Sequence, residues 1–392
     1  MRPHKRLSST DADYTHYYYI TLTYFTKQKL NDMKHNKRQI ISGLKALAAV
    51  MAMMFTVTSC GMMEDDQSNC PKELRVNFKY DMNMKFADAF PNEVKTVTLY
   101  AFDKDGKLAL QKKESVKDIE NRGGYMSVNE LKPGHYTLKV WAEGEERYAD
   151  SYIYGEPNSQ DISSLTCRIN RSECIVDHDL TPLYHGLLKD ADLNLEGFGV
   201  KTATVDLMKN TNVVRVVLQN TSGEALNAAD FDFFINDDNA FLAYNNEPLT
   251  RSTAPAGSGD ALPEDDVTYV AWSKYDGIIN GTRSELIPDI DGSVTPTSAV
   301  VAELTVNRLF ENKNPQLWIY SKETQEKILQ IPLIDYVLLV KGNYNKAMSD
   351  QEYLDRQDEY NFVFFIDDNH NWLAAQIYIN SWRVVLNNTD FK

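Results

Sequence analysis

Residues 74–80, Leu-Arg-Val-Asn-Phe-Lys-Tyr, alternate apolar and polar side chains without a break. A period of two puts the apolar set on one face, which is the mark of a half-buried β-strand. The pattern returns at short intervals. Val97, Leu99 and Ala101 share a face, and Asp103-Lys104-Asp105-Gly106-Lys107 follows as a hairpin turn. After the turn Leu131-Lys132-Pro133-Gly134, Tyr136, Leu138, Val140 and Ala142 alternate with Thr137, Lys139 and Trp141. A second series begins near Thr204, with Val214, Val216 and Leu218 in its first apolar strand. Segments 231–235, 300–306, 317–320, 328–331, 362–366 and 376–385 continue it, the last carrying Trp382. One helix is predicted, where Ser349-Asp350-Gln351-Glu352 forms a capping box ahead of Tyr353, Leu354 and Gln357. Short strands at regular spacing, divided by turns, predict an all-β chain of two tandem β-sandwich domains with little helix.

Segment 187–200 reads as the boundary, because Gly197 and Gly199 relax the backbone there. The expected domains are therefore 73–198 and 199–392. Residues 251–265, rich in Ser, Ala, Pro and Gly, read as a long loop.

The N-terminal region carries a different message. Lys34, Lys37, Arg38 and Lys45 precede an apolar run of ten residues, 46–55, and then Thr56-Val57-Thr58-Ser59-Cys60. A basic region, an apolar core and small residues before a cleavage point make a secretory signal. The run is too short to span a bilayer, which needs about 20 apolar residues. With Cys at the first position after cleavage, segment 33–59 resembles a bacterial lipoprotein signal, although Val57 and Thr58 stand where Leu and Ala or Ser are usual. The resemblance implies that the mature chain begins at Cys60 and carries a diacylglycerol and an N-acyl chain there. Residues 1–32 show no clean period. They are expected to be a mis-called extension, with translation starting at Met33. Glu64-Asp65-Asp66 makes 60–72 an acidic linker.

Of 41 basic and 56 acidic residues, nine and three precede Cys60, which leaves a net charge of −21 on the 333 residues from Cys60 onward. Such a surface repels phosphate backbones, so no nucleic-acid partner is expected. It also has no basic patch for anionic lipid, so the acyl chains must make the membrane link, and stable anchoring takes more than one. Cys70, Cys167 and Cys174 remain. A Cys167–Cys174 bridge across a hairpin would need Cα atoms within about 7 Å. Pairing of Cys70 with either, or no bridge, stays open.

No catalytic or cofactor site emerges, and the chain is read as a non-enzyme. Asp103-Lys104-Asp105-Gly106 and Asp289-Ile290-Asp291-Gly292 start like calcium loops, but neither continues to a closing Glu. His178 and His185 lie seven apart, wider than metal ligands of that kind prefer, so no metal site is expected. Trp141 and Trp372 are candidates for stacking on a glycan, and more ordinary as core or rim residues.

Several further stretches carry a family resemblance. They are Asn69-Cys70-Pro71, Tyr80-Asp81-Met82-Asn83-Met84, Ala87-Asp88-Ala89-Phe90 and Asp179-Leu180-Thr181-Pro182-Leu183-Tyr184-His185-Gly186. Gln351-Glu352-Tyr353-Leu354-Asp355-Arg356 and Ile379-Asn380-Ser381-Trp382 complete the set. In this order, behind a lipoprotein-like start, the chain resembles the fimbrium-anchoring subunits of Bacteroidia. The resemblance implies two transthyretin-like sandwiches, lipidation at Cys60 and display on the outer face of the outer membrane. It implies a fimbrillin stalk subunit as partner and a mechanical task, to tether and terminate a polymer built by β-strand addition. The runner-up reading is a surface glycan-binding lipoprotein of a polysaccharide uptake system.

Overall fold

The computed structural model describes residues 72–158, 161–255, 265–279, 297–342, 345–373 and 377–384. The expected extension, the signal, Cys60, Cys70 and the linker as far as residue 71 lie outside the described residues, as do residues 289–292. The first half of the chain forms β1 (Lys72–Met82), α1 (Phe90–Glu93), β2 (Thr96–Asp103), β3 (Leu108–Ser115) and α2 (Val116–Asn121). It goes on through β4 (Met126–Ser127), β5 (His135–Glu143), β6 (Tyr152–Tyr154), β7 (Cys167–Ile169), β8 (Ile175–Val176), β9 (Leu183–Asp192) and β10 (Gly199–Lys209). The second half forms β11 (Thr211–Asn220), β12 (Phe231–Asp237), β13 (Phe241–Leu242), β14 (Val267–Val270), β15 (Ser273–Ile279) and β16 (Thr297–Asn307). It ends with β17 (Gln316–Ser321), β18 (Glu326–Pro332), α3 (Leu333–Leu338), α4 (Asp350–Arg356), β19 (Glu359–Ile366), β20 (Ile377–Ile379) and β21 (Trp382–Val384).

The first sandwich is one seven-stranded sheet in the order β3-β2-β5-β9-β10-β1-β4. Leu74, Val76, Phe78 and Tyr80 of β1 meet Val97, Leu99 and Ala101 of β2 in a single core, so the sheet curls over itself. Gly186 lets the side chains of β10 pack closely on β9, since a Cβ there would lie 2.7 Å from Leu207 and from Val205. The second sandwich packs the sheet β15-β16-β11-β19-β20-β21 on the sheet β18-β17-β12-β14-β8. Val214, Val216, Phe362 and Phe364 face Phe231, Phe233, Leu317 and Ile319 across it.

The expected boundary at 198/199 moves. Strand β10 pairs in parallel with β1, Lys72 opposite Gly199, so the first sheet runs through Lys209. The apolar face of β10 (Ala203, Val205, Leu207) belongs to the first core. Asn210 is the junction: it is buried, its backbone N–H donates to Leu183 O (2.7 Å), and its amide pairs reciprocally with Asn246 (2.6 and 2.9 Å). Between the neighbouring strands β5 and β9, the chain makes an excursion. In it β8 joins β14 and β7 joins β13, both strands of the second half.

That excursion also covers the outer face of the first sheet. Lys139 and Trp141, expected on the polar side of β5, are both buried. Trp141 donates through Nε1 to Leu165 O (3.2 Å), and the Lys139 Nζ sits 3.4 Å from the Trp141 ring centre and donates to Val140 O (2.6 Å). Burial drives the Lys139 amine well below its ordinary pKa, toward the neutral form. The described part of segment 376–385, residues 377–384, is not one strand. It turns back at Asn380 (φ 48°) and Ser381 (φ 69°), the two left-handed positions of a tight hairpin turn between β20 and β21. Asn361 holds this turn through both its backbone groups (2.8 Å each). Helix α4 forms as expected, with Ser349 Oγ accepting from Glu352 N (3.0 Å). Short helices α1, α2 and α3 add to it.

The Cys167–Cys174 bridge does not form; both are free thiols. The segment between them is no hairpin, because β7 and β8 leave for different sheets. Cys167 is buried, and burial pushes its thiol well up, whereas Cys174 is partly exposed. Native alkylation without reductant should therefore label Cys174 readily and Cys167 only after unfolding. A disulfide-linked peptide joining the two would contradict the fold described.

Candidate functional site

The first strand and its far end form the site. Along the edge of β1 that faces away from β10, backbone groups near both ends are taken up locally. Leu74 N–H donates to Asn129 Oδ1 (2.7 Å), and Leu74 O accepts from Val128 N (2.9 Å). Arg75 and Val76 pair with β4. Tyr80 N–H donates to Asp88 Oδ1 (2.9 Å), and Tyr80 O accepts from Ala89 N (2.8 Å) and Asn83 Nδ2 (3.1 Å). The strand is thus capped at both ends of its outer edge, as sheet edges that avoid stray pairing usually are.

Tyr80 then reaches the second sandwich. Its ring is fully buried and packs edge-on against Tyr184, with centroids 5.1 Å apart. Its hydroxyl donates to Asp358 (3.1 Å), which precedes β19. Lys209 Nζ lies 3.7 Å from Asp358 and 3.6 Å from Glu93, and the Tyr184 hydroxyl donates to Glu93 (3.2 Å). Helix α4 grips the same place. Arg356 pairs with Glu352 one turn back (2.9 Å), donates to Asp81 O (3.0 Å) and lies over the Phe86 ring at 4.4 Å. One residue earlier, Asp355 takes a two-pronged ion pair from buried Arg308 (2.7 and 2.8 Å), which also donates to Asn246 O (2.8 Å).

Segment 179–186 lies along the joint as well. Asp179 accepts from Arg147 Nη1 (2.8 Å) and from Thr305 Oγ1 (2.5 Å). The Tyr152 hydroxyl donates to Thr181 O (2.8 Å). His185 is buried against Tyr244 O (2.8 Å), and burial holds its ring neutral. His178 instead stacks on Tyr148 with centroids 3.7 Å apart. The two histidines serve separate contacts, and among the described residues no cluster of three metal-ligating side chains occurs. Asp103 closes its turn by accepting from Asp105 N (3.0 Å) and Lys107 N (2.9 Å). Trp372 packs half-buried against the second core. Sequence reading missed Arg308, Lys209 and Asp358, because a partner distant in the chain leaves no local pattern.

A family model for the fimbrillin-A associated anchor proteins Mfa1 and Mfa2 matches residues 67–388. The chain belongs to this family. A curated relative, the minor fimbrium anchoring subunit Mfa2 of Porphyromonas gingivalis, is 31% identical over 138 residues, 34% of this chain. The match spans 41% of that relative's length. Among solved structures, a candidate adhesin from Bacteroides thetaiotaomicron is 30% identical, with a TM-score of 0.65 over 81% of this chain and 99% of that one. The fimbrial anchor protein Mfa2 of P. gingivalis shares the fold, with a TM-score of 0.56 at 17% identity over 81% of this chain and all of the other.

Two outcomes follow from the joint's chemistry. Arg308→Ala strands the Asp355 carboxylate and should cost about 3–5 kcal/mol in denaturant unfolding; a loss under about 1 kcal/mol would contradict a buried pair. Burial holds Asp358 above the ordinary carboxylate range, Glu93 adds to this, and Lys209 and the Tyr80 hydroxyl oppose it. The folded chain therefore binds that proton more tightly than the unfolded chain. Its contribution to stability falls as pH rises from about 4 through the raised folded value, then levels off. Asp358→Asn should flatten that part of the pH–stability curve; an unchanged slope would show that Asp358 is not the group responsible.

Proposed function

We propose that this chain is the lipid-anchored base of a fimbrium: an outer-membrane lipoprotein acylated at Cys60, facing the cell exterior. It holds a fimbrillin stalk subunit and ends the polymer. Membership of the anchor family supports the fimbrial role. The observation that carries the mechanism is the state of β1. It begins twelve residues after Cys60, pairs with β10 over its length and fills the first core with four apolar side chains. The eleven intervening residues reach at most about 40 Å.

Strand addition works by one chain's strand filling a groove in its neighbour, with backbone hydrogen bonds giving affinity and side-chain pockets giving specificity. In stalk subunits of this class, removal of the first strand opens that groove. An anchor tethered through the residues ahead of β1 cannot lose β1 without losing the membrane. Its groove stays filled by its own strand, so no further subunit inserts there and growth stops. Pulling on the lipid loads the parallel β1–β10 ladder in shear, so its hydrogen bonds share the force.

Deleting the gene should give shed or overlong fimbriae in images of cells and medium. Unchanged, cell-bound fimbriae would end this reading. Cys60→Ser should leave both sandwiches folded and release the fimbriae into the medium; retention on the cell would show that the acyl chains are not the tether.

A further inference from the structure

The end of the first sandwich where β1 begins carries an apolar tip left open to solvent. Strands β1 and β10 are parallel and start side by side, Lys72 opposite Gly199. Tyr80, further along β1, meets the second sandwich, so at about 3.3 Å per residue the tip stands about 25 Å from the joint. The loop between β9 and β10 makes the tip. Its first part is braced on the body. Leu193 is buried and bonds Gly134 through both backbone groups (2.9 and 3.3 Å), and Leu195 packs half-buried against the first core. The chain then leaves the body at Gly197-Phe198-Gly199. Gly197 (φ 89°) and Gly199 (φ 119°) hold backbone conformations that glycine adopts without steric cost. A Cβ at either would meet nothing within 4 Å, so neither glycine is there to make room for a neighbour. Between them Phe198 is 44% exposed, and Val200 just beyond is 51% exposed.

Single exposed apolar side chains are ordinary on a protein surface, whereas grouped ones mark contact with a protein or a membrane. Among the described residues, the other exposed large apolar side chains stand singly, none within two residues of another. Phe198 and Val200 form a pair, beside the point where the chain comes in from Cys60. That continuity points to what covers them. Under the lipid-anchored reading, on which this inference rests, residues 61–71 hold Lys72 within about 40 Å of the bilayer. Even a weak contact with the bilayer is then intramolecular and works at a raised effective concentration. Charge does not drive it. At this end Lys72 and Lys201 stand against Glu73, Asp192 and Glu196, and Lys201 is already paired with Asp192 (2.5 Å). The gain comes from taking apolar surface out of water at the boundary of headgroups and acyl chains.

We propose that Phe198 and Val200 insert into the interface of the bilayer that carries the lipid anchor, and so stand the first sandwich on the membrane with the joint pointing away. The mature Cys60→Ser chain, given an N-terminal hexahistidine tag, is held on phosphatidylcholine vesicles that carry a nickel-chelating lipid. Phe198→Trp exchanges one exposed ring for another, and Tyr275→Trp, at a position 52% exposed in the second sandwich, is the control. With brominated acyl chains in the vesicles, Phe198→Trp should lose fluorescence beyond the loss of the parent chain, and Tyr275→Trp should not. Phe198→Ser combined with Val200→Ser should bind these vesicles at least about fivefold more weakly than the parent, at high salt as at low. Thermal midpoints should match the parent, since both positions are exposed; if the double variant melts early, Phe198→Ser alone takes its place. No added quenching at position 198, equal quenching at 275, or unchanged vesicle binding overturns the proposal. So does a parent that is dimeric in solution and becomes monomeric in the double variant, because a second copy then covers the tip. The tag replaces the acyl chains, so these results do not depend on Cys60. Failure of the lipid-anchored reading would show separately, as a native N-terminal peptide without acyl mass.

Discussion

The parallel pairing of β1 with β10 is the constraint on which the rest depends. Through it, the strand nearest Cys60 becomes an inner part of the first sheet. Leu74, Val76, Phe78 and Tyr80 are each 5% exposed or less. Burying such side chains stabilises by about 1.5–3 kcal/mol each, an upper bound because the unfolded chain already hides some surface. Four of them together approach the about 5–15 kcal/mol that holds a whole domain folded. The first sandwich therefore cannot lose β1 and stay as it is; something must occupy that place. In the described fold, the occupant is the chain's own strand.

The second sandwich is bound to the same strand by polar contacts. Tyr80 reaches Asp358, and Arg356 reaches the carbonyl of Asp81, both at the point where β1 ends. The excursion between β5 and β9 lends β7 and β8 to sheets of the second half. Arg308–Asp355 and Asn210–Asn246 fill the joint with satisfied buried polar groups. Such pairs add little net stability over apolar packing, but breaking one partner is costly, so they favour a single arrangement.

The strands were legible because each carries its own period. Residues 74–80, the Asp103–Gly106 turn and the Ser349 cap form where the local pattern puts them. What was hidden depends on partners distant in sequence. Strand β10 alternates like any other strand, and nothing within 199–209 says that it pairs with residues 72–82. Lys139 and Trp141 read as a polar face because the cover, Leu165 and Tyr154, comes from elsewhere in the chain. The hairpin at Asn380-Ser381 lacks the glycine that usually marks such a turn, and Asn361 supplies the support instead. The family stretches were visible as sequence, but their meaning was not. Segments 80–84, 179–186 and 351–356 meet at one joint, and only the fold shows that they are neighbours.

The central claim is that β1 remains in the mature protein as the link between lipid and fold. Mass spectrometry of the N-terminal peptide, from protein purified out of the outer membrane, tests it most directly. The account predicts a peptide that begins at an acylated Cys60 and runs unbroken through Tyr80. A mature N-terminus within or beyond β1, such as one created by cleavage after Arg75, would contradict it.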